Sequence, residues 1–125
     1  MAQAFTIETL VPFTQAGVPS GNYDGSSLDW YGDPVKAANY YRTSSFSTAF
    51  VNVEGFTGLI TIQGSHDQIP TFTGTWTDIV QYGDINDIVV YTDFHPLVIV
   101  GNYVWLQARI QNFESGIIKA VTVNY

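Results

Sequence analysis

Along much of this chain, residues of a polar or aromatic set alternate one by one with residues of a mostly apolar set. The alternation is clearest in the last quarter. In GNYVWLQARIQNFESGIIKAVTVNY, residues 101–125, one set of positions from 103 to 111 carries tyrosine, tryptophan, arginine and glutamines, and the other set is mostly apolar. Only an extended strand places two such sets on opposite faces. The segment 117–125 is rich in β-branched residues and follows a Glu-Ser-Gly turn. The pattern therefore predicts that the chain closes with a β-hairpin.

The same period-two pattern predicts further strands, separated by turn residues at close spacing. No segment keeps a 3.6-residue apolar period over more than two turns, so no long helix is predicted. The segment 35–42 fits either a strand or a helical turn, and we favour the strand. Gly55 is predicted to end one strand, and turns are predicted at 64–67, 84–87 and 93–96. The predicted strands are 5–11, 35–42, 46–53, 58–63, 88–91, 97–100, 103–112 and 117–125, and 76–82 is predicted as a strand or a partly extended segment.

A chain of 125 residues with this many short strands is expected to form one all-β domain, residues 1–125. The predicted fold is an antiparallel β-sandwich of jelly-roll-like form, because about eight strands with some longer connections fit that arrangement. The alternative is an immunoglobulin-like sandwich. The chain contains no cysteine, so disulfides and thiolate metal sites are excluded.

Charged residues are few and mostly acidic. Four Lys and Arg residues stand against eleven Asp and Glu residues, and the net charge is −7. Nucleic-acid binding needs several cations against phosphates and is not expected, and binding to anionic membranes is disfavoured for the same reason. No apolar run reaches the length of a transmembrane helix. The surface is predicted to be neutral and polar, which suits contacts with proteins or with sugars.

Signatures of catalysis and of metal binding are weak in this sequence. The two histidines, His66 and His95, each have an aspartate within two residues, but both lie at predicted turns, where such side chains are simply solvated. The aspartates of 17–34 and 84–87 do not match the spacing of a calcium loop, and we interpret them as turn residues. No serine lies in a nucleophile motif. We therefore predict a protein that is not an enzyme and uses no cofactor or metal.

Aromatic residues in and beside the long loop 17–34 are the best candidates for binding. Exposed aromatic rings stack on sugars and anchor protein interfaces. Trp30 has a competing interpretation, in which it is a core residue or pins its loop onto the sandwich, and Trp76 and Trp105 are interpreted as core or loop-pinning residues. The candidate interface residues are Tyr23, Trp30, Tyr31, Tyr40, Tyr41 and Arg109.

Arg109 is the one cation among these candidates. It alternates with Gln107 and Gln111 and so shares a strand face with them. It could form an ion pair at an interface, or a pair with Glu54 or Glu114 of a neighbouring strand, which would say little about function.

Two segments together resemble a known class of proteins. Residues 50–70, FVNVEGFTGLITIQGSHDQIP, have the pattern strand, glycine turn, strand and a Gly-Ser-x-Asp-x-x-Pro loop. Residues 101–125 have Gly-Asn-Tyr-x-Trp-x-x-Ala, a glycine turn and a Val-Thr-Val-x-Tyr close. This pairing is similar to small virion structural proteins of tailed bacteriophages, notably phages of cyanobacteria and marine bacteria.

The resemblance implies a capsid decoration, or cement, protein on the outer surface of the virion. Such a protein is expected to be a homo-oligomer, here a trimer, bound to the major capsid protein through loops, termini and strand addition at a sheet edge. Its acidic surface would meet basic patches of the shell. The alternative is a carbohydrate- or receptor-binding module of a phage tail or baseplate, with Tyr23, Trp30 and Tyr31 as platforms.

Overall fold

The computed structural model describes residues 7–37, 46–66, 76–86, 89–101 and 103–124. Within these ranges the chain forms ten β-strands and no helix, and so contains no helix able to cross a membrane. The strands are β1 (Ile7–Val11), β2 (Thr14–Gln15), β3 (Trp30–Tyr31), β4 (Val35–Lys36), β5 (Phe46–Phe56), β6 (Gly58–Ser65), β7 (Thr77–Asp84), β8 (Tyr91–Val100), β9 (Trp105–Gln111) and β10 (Ile117–Asn124).

The strands form two antiparallel sheets packed face to face, which confirms the predicted β-sandwich. Sheet A has the order β1-β10-β5-β8, and β2 also pairs with β10. Sheet B has the order β3-β9-β6-β7, and β4 also pairs with β9. Among the described strands, β8 is therefore a free edge of sheet A and β7 a free edge of sheet B.

The core lies between the sheets and is built from the apolar half of each alternating strand. Burying each of these valine, leucine or isoleucine side chains contributes about 1.5–3 kcal/mol. The central members from sheet A are Ala49, Val51, Val53, Val121 and Val123, and those from sheet B are Ile60, Ile62, Leu106, Ala108 and Ile110.

The predicted closing hairpin is wrong, because β9 lies in sheet B and β10 lies in sheet A. The connection 112–116 crosses from one sheet to the other. Phe113, in the middle of this connection, is buried with its ring centroid 5.7 Å from that of Phe56. A tight hairpin turn would expose that ring to water, so burial of Phe113 favours the crossing over the hairpin.

A second crossing connection packs against the first. Strand β5 ends in sheet A, β6 begins in sheet B at Gly58, and only Thr57 stands between them. The N–H of Thr57 donates to the carbonyl of Ser115 at 3.2 Å, and the N–H of Ser115 donates to the Thr57 hydroxyl at 3.2 Å. The segments 50–70 and 101–125, which carry the resemblance, therefore supply the two joined connections and the central strands of both sheets.

One strand, β8, replaces the two short strands predicted at 88–91 and 97–100. It runs from Tyr91 to Val100 through the predicted turn 93–96. Pro96 pairs in register with Phe50 of β5. Proline is tolerated in an edge strand because its missing N–H can face away from the paired neighbour. The edge position of β8, which the sequence does not reveal, explains the error.

Two other predicted strand ends are wrong, and in each case the prediction was based on a glycine. Gly55 lies inside β5 with a φ of 62°, where the register with β8 shifts between Val53 and Phe56. It makes a bulge and does not end the strand. Similarly, β6 continues through Gly64 and Ser65, which were predicted as a turn.

The remaining predicted segments agree in part. The first strand is confirmed over its described part, Ile7–Val11. The strand alternative for 35–42 is confirmed at Val35–Lys36. Ala37 follows this strand, and residues 38–42 lie outside the described residues. The loop 17–34 is interrupted by β3.

Candidate interaction surfaces

Two of the aromatic candidates are buried and offer no surface platform. Tyr23 is 3% exposed and Trp30 is 6% exposed. Their ring centroids lie 5.3 Å apart, and Tyr23 lies 5.2 Å from Phe113. This aromatic cluster pins the loop between β2 and β3 to the core, as the competing interpretation of Trp30 held. Tyr40 and Tyr41 lie outside the described residues.

The aspartate of this loop is a turn residue, as interpreted from the sequence. The Asp24 carboxylate accepts hydrogen bonds from the N–H groups of Ser26 and Ser27, at 2.8 and 2.7 Å, and from the Ser27 hydroxyl at 2.7 Å. These bonds, the Ser27 hydroxyl first, lower the pKa of Asp24 from its ordinary 3.8 to about 2. The described residues contain no group of three or more His, Asp or Glu side chains placed to hold a metal ion.

Tyr31 and Arg109 come together on the outer face of sheet B. They are register partners on β3 and β9, and the guanidinium carbon of Arg109 lies 5.9 Å from the centroid of the Tyr31 ring, within cation–π range. Tyr31 is exposed, as predicted. A pair between Arg109 and Glu54 is not formed, because Glu54 lies in sheet A with its carboxylate 3.5 Å from the Lys119 ammonium.

The other side chains of this face are mostly polar, and we call it the polar face, although Gln63 and Gln107 at its centre are buried. Register places Gln107, Gln63 and Asp78 in one row across β9, β6 and β7. The Gln107 amide donates to Gln63 at 2.8 Å, and the Gln63 amide donates to Asp78 at 2.7 Å. Trp105 lies on this face, paired with Ser65 and only half-buried, so its assignment to the core is wrong.

Trp76 was also assigned to the core. It precedes β7 and is half-buried, so it too is not a core residue. Of the three tryptophans only Trp30 belongs to the core cluster. The alternation of the sequence could not separate these cases, because it does not say which face of a strand is covered.

The outer face of sheet A is the most exposed apolar surface in the described part of the chain, and we call it the apolar face. Its edge carries Phe94, Val98 and Val100, which are 61%, 62% and 57% exposed. The face extends across four strands, because the strand register places its residues side by side, as it does Phe50 of β5 and Pro96 of β8. None of its side chains ionises. Its residues are Ile7, Thr9, Ala120, Thr122, Asn124, Thr48, Phe50, Asn52, Phe94, Pro96, Val98 and Val100.

Charge begins only at the border of the apolar face. The ion pair of Glu54 with Lys119 lies just beyond Asn52 and Ala120 in the register of β5 and β10. On the face itself the ring of Phe94 packs against Phe50, with centroids 5.3 Å apart. A contiguous exposed apolar patch, such as the one that Phe50, Phe94, Pro96, Val98 and Val100 form at this edge, marks an interaction site.

A small titratable cluster lies where β7 approaches β8. The Tyr82 hydroxyl donates to the Asp93 carboxylate at 3.4 Å, and His95 Nδ1 lies 3.4 Å from the same carboxylate oxygen. The Tyr82 ring packs 5.1 Å from those of Tyr91 and His95. Burial, and secondly the charge of Asp93, raises the pKa of Tyr82 from 10.0 to about 12. Asp93 and His95 are both half-exposed, which agrees with the interpretation of a solvated pair.

Tyr82 is accordingly expected to ionise with a midpoint near pH 12 in the folded protein. The folded state favours the neutral phenol, so the stability that this group contributes is complete below about pH 10 and falls as pH rises through about 12. Asp93→Asn should lower the midpoint but leave it above 10, because burial is the larger cause. NMR of ¹³C-labelled tyrosine measures both midpoints, and an unchanged midpoint in Asp93→Asn would contradict the assigned role of Asp93.

Comparison of the chain with protein-family models, curated proteins and solved structures finds no match.

Proposed function

We propose that this protein is a structural protein of a bacteriophage virion, a decoration or cement protein held on the outer surface of the capsid shell by the major capsid protein. The observation that carries the proposal is the apolar face. A protein that acts alone in water rarely exposes an uncharged apolar sheet face, whereas a subunit of a lasting assembly covers it. The segments that carry the resemblance contribute five of the twelve residues of this face, Phe50 and Asn52 of β5 and Ala120, Thr122 and Asn124 of β10.

Our proposal includes a jelly-roll form of the sandwich. If β1 and β2 count as one strand, and β3 and β4 as another, the ten strands reduce to eight, with orders 1-8-3-6 in sheet A and 2-7-4-5 in sheet B. These orders agree with a roll of two Greek keys. Jelly rolls occur in viral capsid and lectin domains, so the form supports both the proposal and its alternative.

The distribution of charge agrees with an assembly role. The net charge is −7, yet the apolar face has no ionised group, so the exposed acids such as Asp24, Asp33 and Asp78 lie on other surfaces. Covering the apolar face therefore removes no charge from water, and this avoids the main cost of burying an acidic surface.

Particles that lack this protein are expected to assemble but to rupture at lower temperature than complete particles. A cement protein binds only the assembled shell and so shifts its equilibrium by mass action. Adding back the purified protein should restore the rupture temperature, with a copy number that matches the capsid subunits. Calorimetry of particles and quantitative gel analysis measure these two quantities. Recovery of a few copies per particle, all at the tail, would reject the proposal.

A matched pair of variants ties this experiment to the apolar face. Val98→Glu puts a carboxylate on that face, and Gln81→Glu puts the same group on the polar face at another exposed edge-strand position. Val98→Glu should fail to restore the particles, and Gln81→Glu should restore them. Equal restoration by both variants would mean that the apolar face is not used.

The alternative function is binding of a carbohydrate receptor at the polar face. The observation in its favour is Tyr31, an exposed ring beside the guanidinium of Arg109. A ring edged by hydrogen-bonding groups can stack on a sugar and orient its hydroxyls. A glycan array tests carbohydrate binding by this face. If the array detects binding, Tyr31→Ala should abolish the signal.

A further inference from the structure

We propose that the apolar face binds the apolar face of a second copy of this chain, so that the protein is a two-fold dimer joined by its two A sheets. The inference rests on the proposed function only for its biological setting, in which the dimer is the unit added to the shell. The juxtaposition that carries it is a sheet face whose twelve residues carry no charge, on a chain with a net charge of −7.

The distribution of charge favours contact through the apolar faces over contact through the other surfaces of two copies. Each copy carries a net charge of −7, so contacts through acidic surfaces place like charges together. Two apolar faces meet without burying any ionised side chain. The pair formed by Glu54 and Lys119 stays at the border, where it remains hydrated.

The free edge of β8 does not favour the competing contact, strand addition. Strand addition needs a continuous row of unpaired N–H and C=O groups. Pro96 lies near the middle of β8 and has no N–H to donate. The exposed apolar side chains of this strand also point out of the sheet plane, from Phe94 to Val100, and not along the edge. Stacking of the faces covers them, whereas edge pairing leaves them in water.

The area of the face is close to what a specific dimer requires. Four strands at a spacing of about 4.8 Å and about seven residues of length span roughly 19 by 24 Å, or about 900 Å² for two copies in projection. The lower bound for a specific interface is about 1,000 Å², and side chains that stand out of the plane make the accessible area larger than its projection. We therefore expect a weak dimer, with a dissociation constant in the micromolar range.

The expected oligomer is a dimer and not a trimer. A face that pairs with its own copy is isologous and closes after two subunits. A ring of three requires two different complementary surfaces on each subunit, and the described residues offer one apolar surface of this size.

The test uses the full chain in sedimentation equilibrium, with substitutions at Thr122. Thr122 pairs with Thr9 on one side and Phe50 on the other and so lies at the centre of the face. A two-fold axis through that centre brings Thr122 close to its own copy whatever the direction of the axis in the plane. Thr122→Glu and Thr122→Lys should each weaken the dimer by at least about 100-fold, because each buries an unpaired charge.

Mixing the two variants should restore the dimer, since opposite charges then meet at the axis. Thr122→Val should dimerise at least as tightly as the native chain, and Gln81→Glu, on the polar face, should leave dimerisation unchanged. Added salt should tighten the native dimer, because it screens the repulsion of two acidic subunits. Melting temperatures close to native would show that every variant is folded.

A dimer that survives both charged variants would overturn the inference, and so would a mixture that stays monomeric. A native chain that stays monomeric at millimolar concentration would overturn it too. If that monomer still restores particles and Val98→Glu does not, the face binds a shell subunit and the proposed function stands. If the charged variants lose the dimer but the native protein does not raise the rupture temperature of particles, the inference is supported and the proposed function is rejected.

Discussion

Replacing Trp30 by alanine is expected to lower the free energy of unfolding by about 3–5 kcal/mol, the range for a buried tryptophan. Trp30 is buried between Tyr23 and Phe113, and its removal leaves a cavity where the loop 17–34 meets the core. For a domain of this size the loss corresponds to a decrease in melting temperature of about 10–20 °C. Urea unfolding and differential scanning calorimetry measure it.

Two control variants separate the possible causes. The indole N–H of Trp30 is buried and has no hydrogen-bond partner among the described residues, so Trp30→Phe removes an unsatisfied donor and should cost less than about 1.5 kcal/mol. Tyr31→Ala removes the exposed neighbouring ring and should cost less still. If Trp30→Ala destabilised the protein no more than Tyr31→Ala, the aromatic cluster would not pin the loop.

Replacing Gly116 by alanine is expected to cost about 3–4 kcal/mol, because strain and overlap add at this position. Gly116 has a φ of 95°, which L-residues rarely adopt. A Cβ atom there would also overlap the carbonyl oxygen of Gly55, which lies in β5 just before the other connection. The substitution therefore acts on the joined crossings that hold the two sheets in place. The free energy of unfolding in urea measures the effect.

Gly17 provides the matched control for this substitution. Its φ is 87°, close to that of Gly116, but a Cβ atom at Gly17 would meet nothing within 4 Å. Gly17→Ala thus has the strain without the overlap and should cost about 1–2 kcal/mol. The difference between the two variants, about 1–3 kcal/mol, is the contribution of the overlap. Equal costs would mean that the two connections do not pack as tightly as described.

The apolar face shows why the interaction surface could not be read from the chain. Phe94, Pro96, Val98 and Val100 alternate with inward-facing residues, but the Asp-Phe-His-Pro segment resembles a turn and hides the alternation. The remaining members come from β1, β5 and β10, which are far apart in sequence. A threonine or asparagine in a strand is uninformative until its neighbours are known. Their shared lack of charge becomes visible only when register places them side by side.

The aromatic candidates failed for a related reason. An aromatic ring in a loop of glycines and aspartates can be an exposed binding platform or can anchor the loop to the core. Only the packing of the folded chain decides between these two roles. Tyr23 and Trp30 are buried and anchor the loop because Phe113, which follows β9 near the end of the chain, supplies the third ring of their aromatic cluster. Tyr31, the next residue, points the other way because side chains alternate along β3.

Local pattern was sufficient for the fold class, because period two, turn residues and the lack of helical periodicity depend only on near neighbours. It also identified Gln107, Arg109 and Gln111 as one strand face. The partner of each strand was decided by tertiary structure. Strands β9 and β10 adjoin in sequence and are separated in space because each buries an apolar face against the opposite sheet, with Phe113 between them. Which faces stay in water follows from that pairing, and so does the surface on which the proposed function depends.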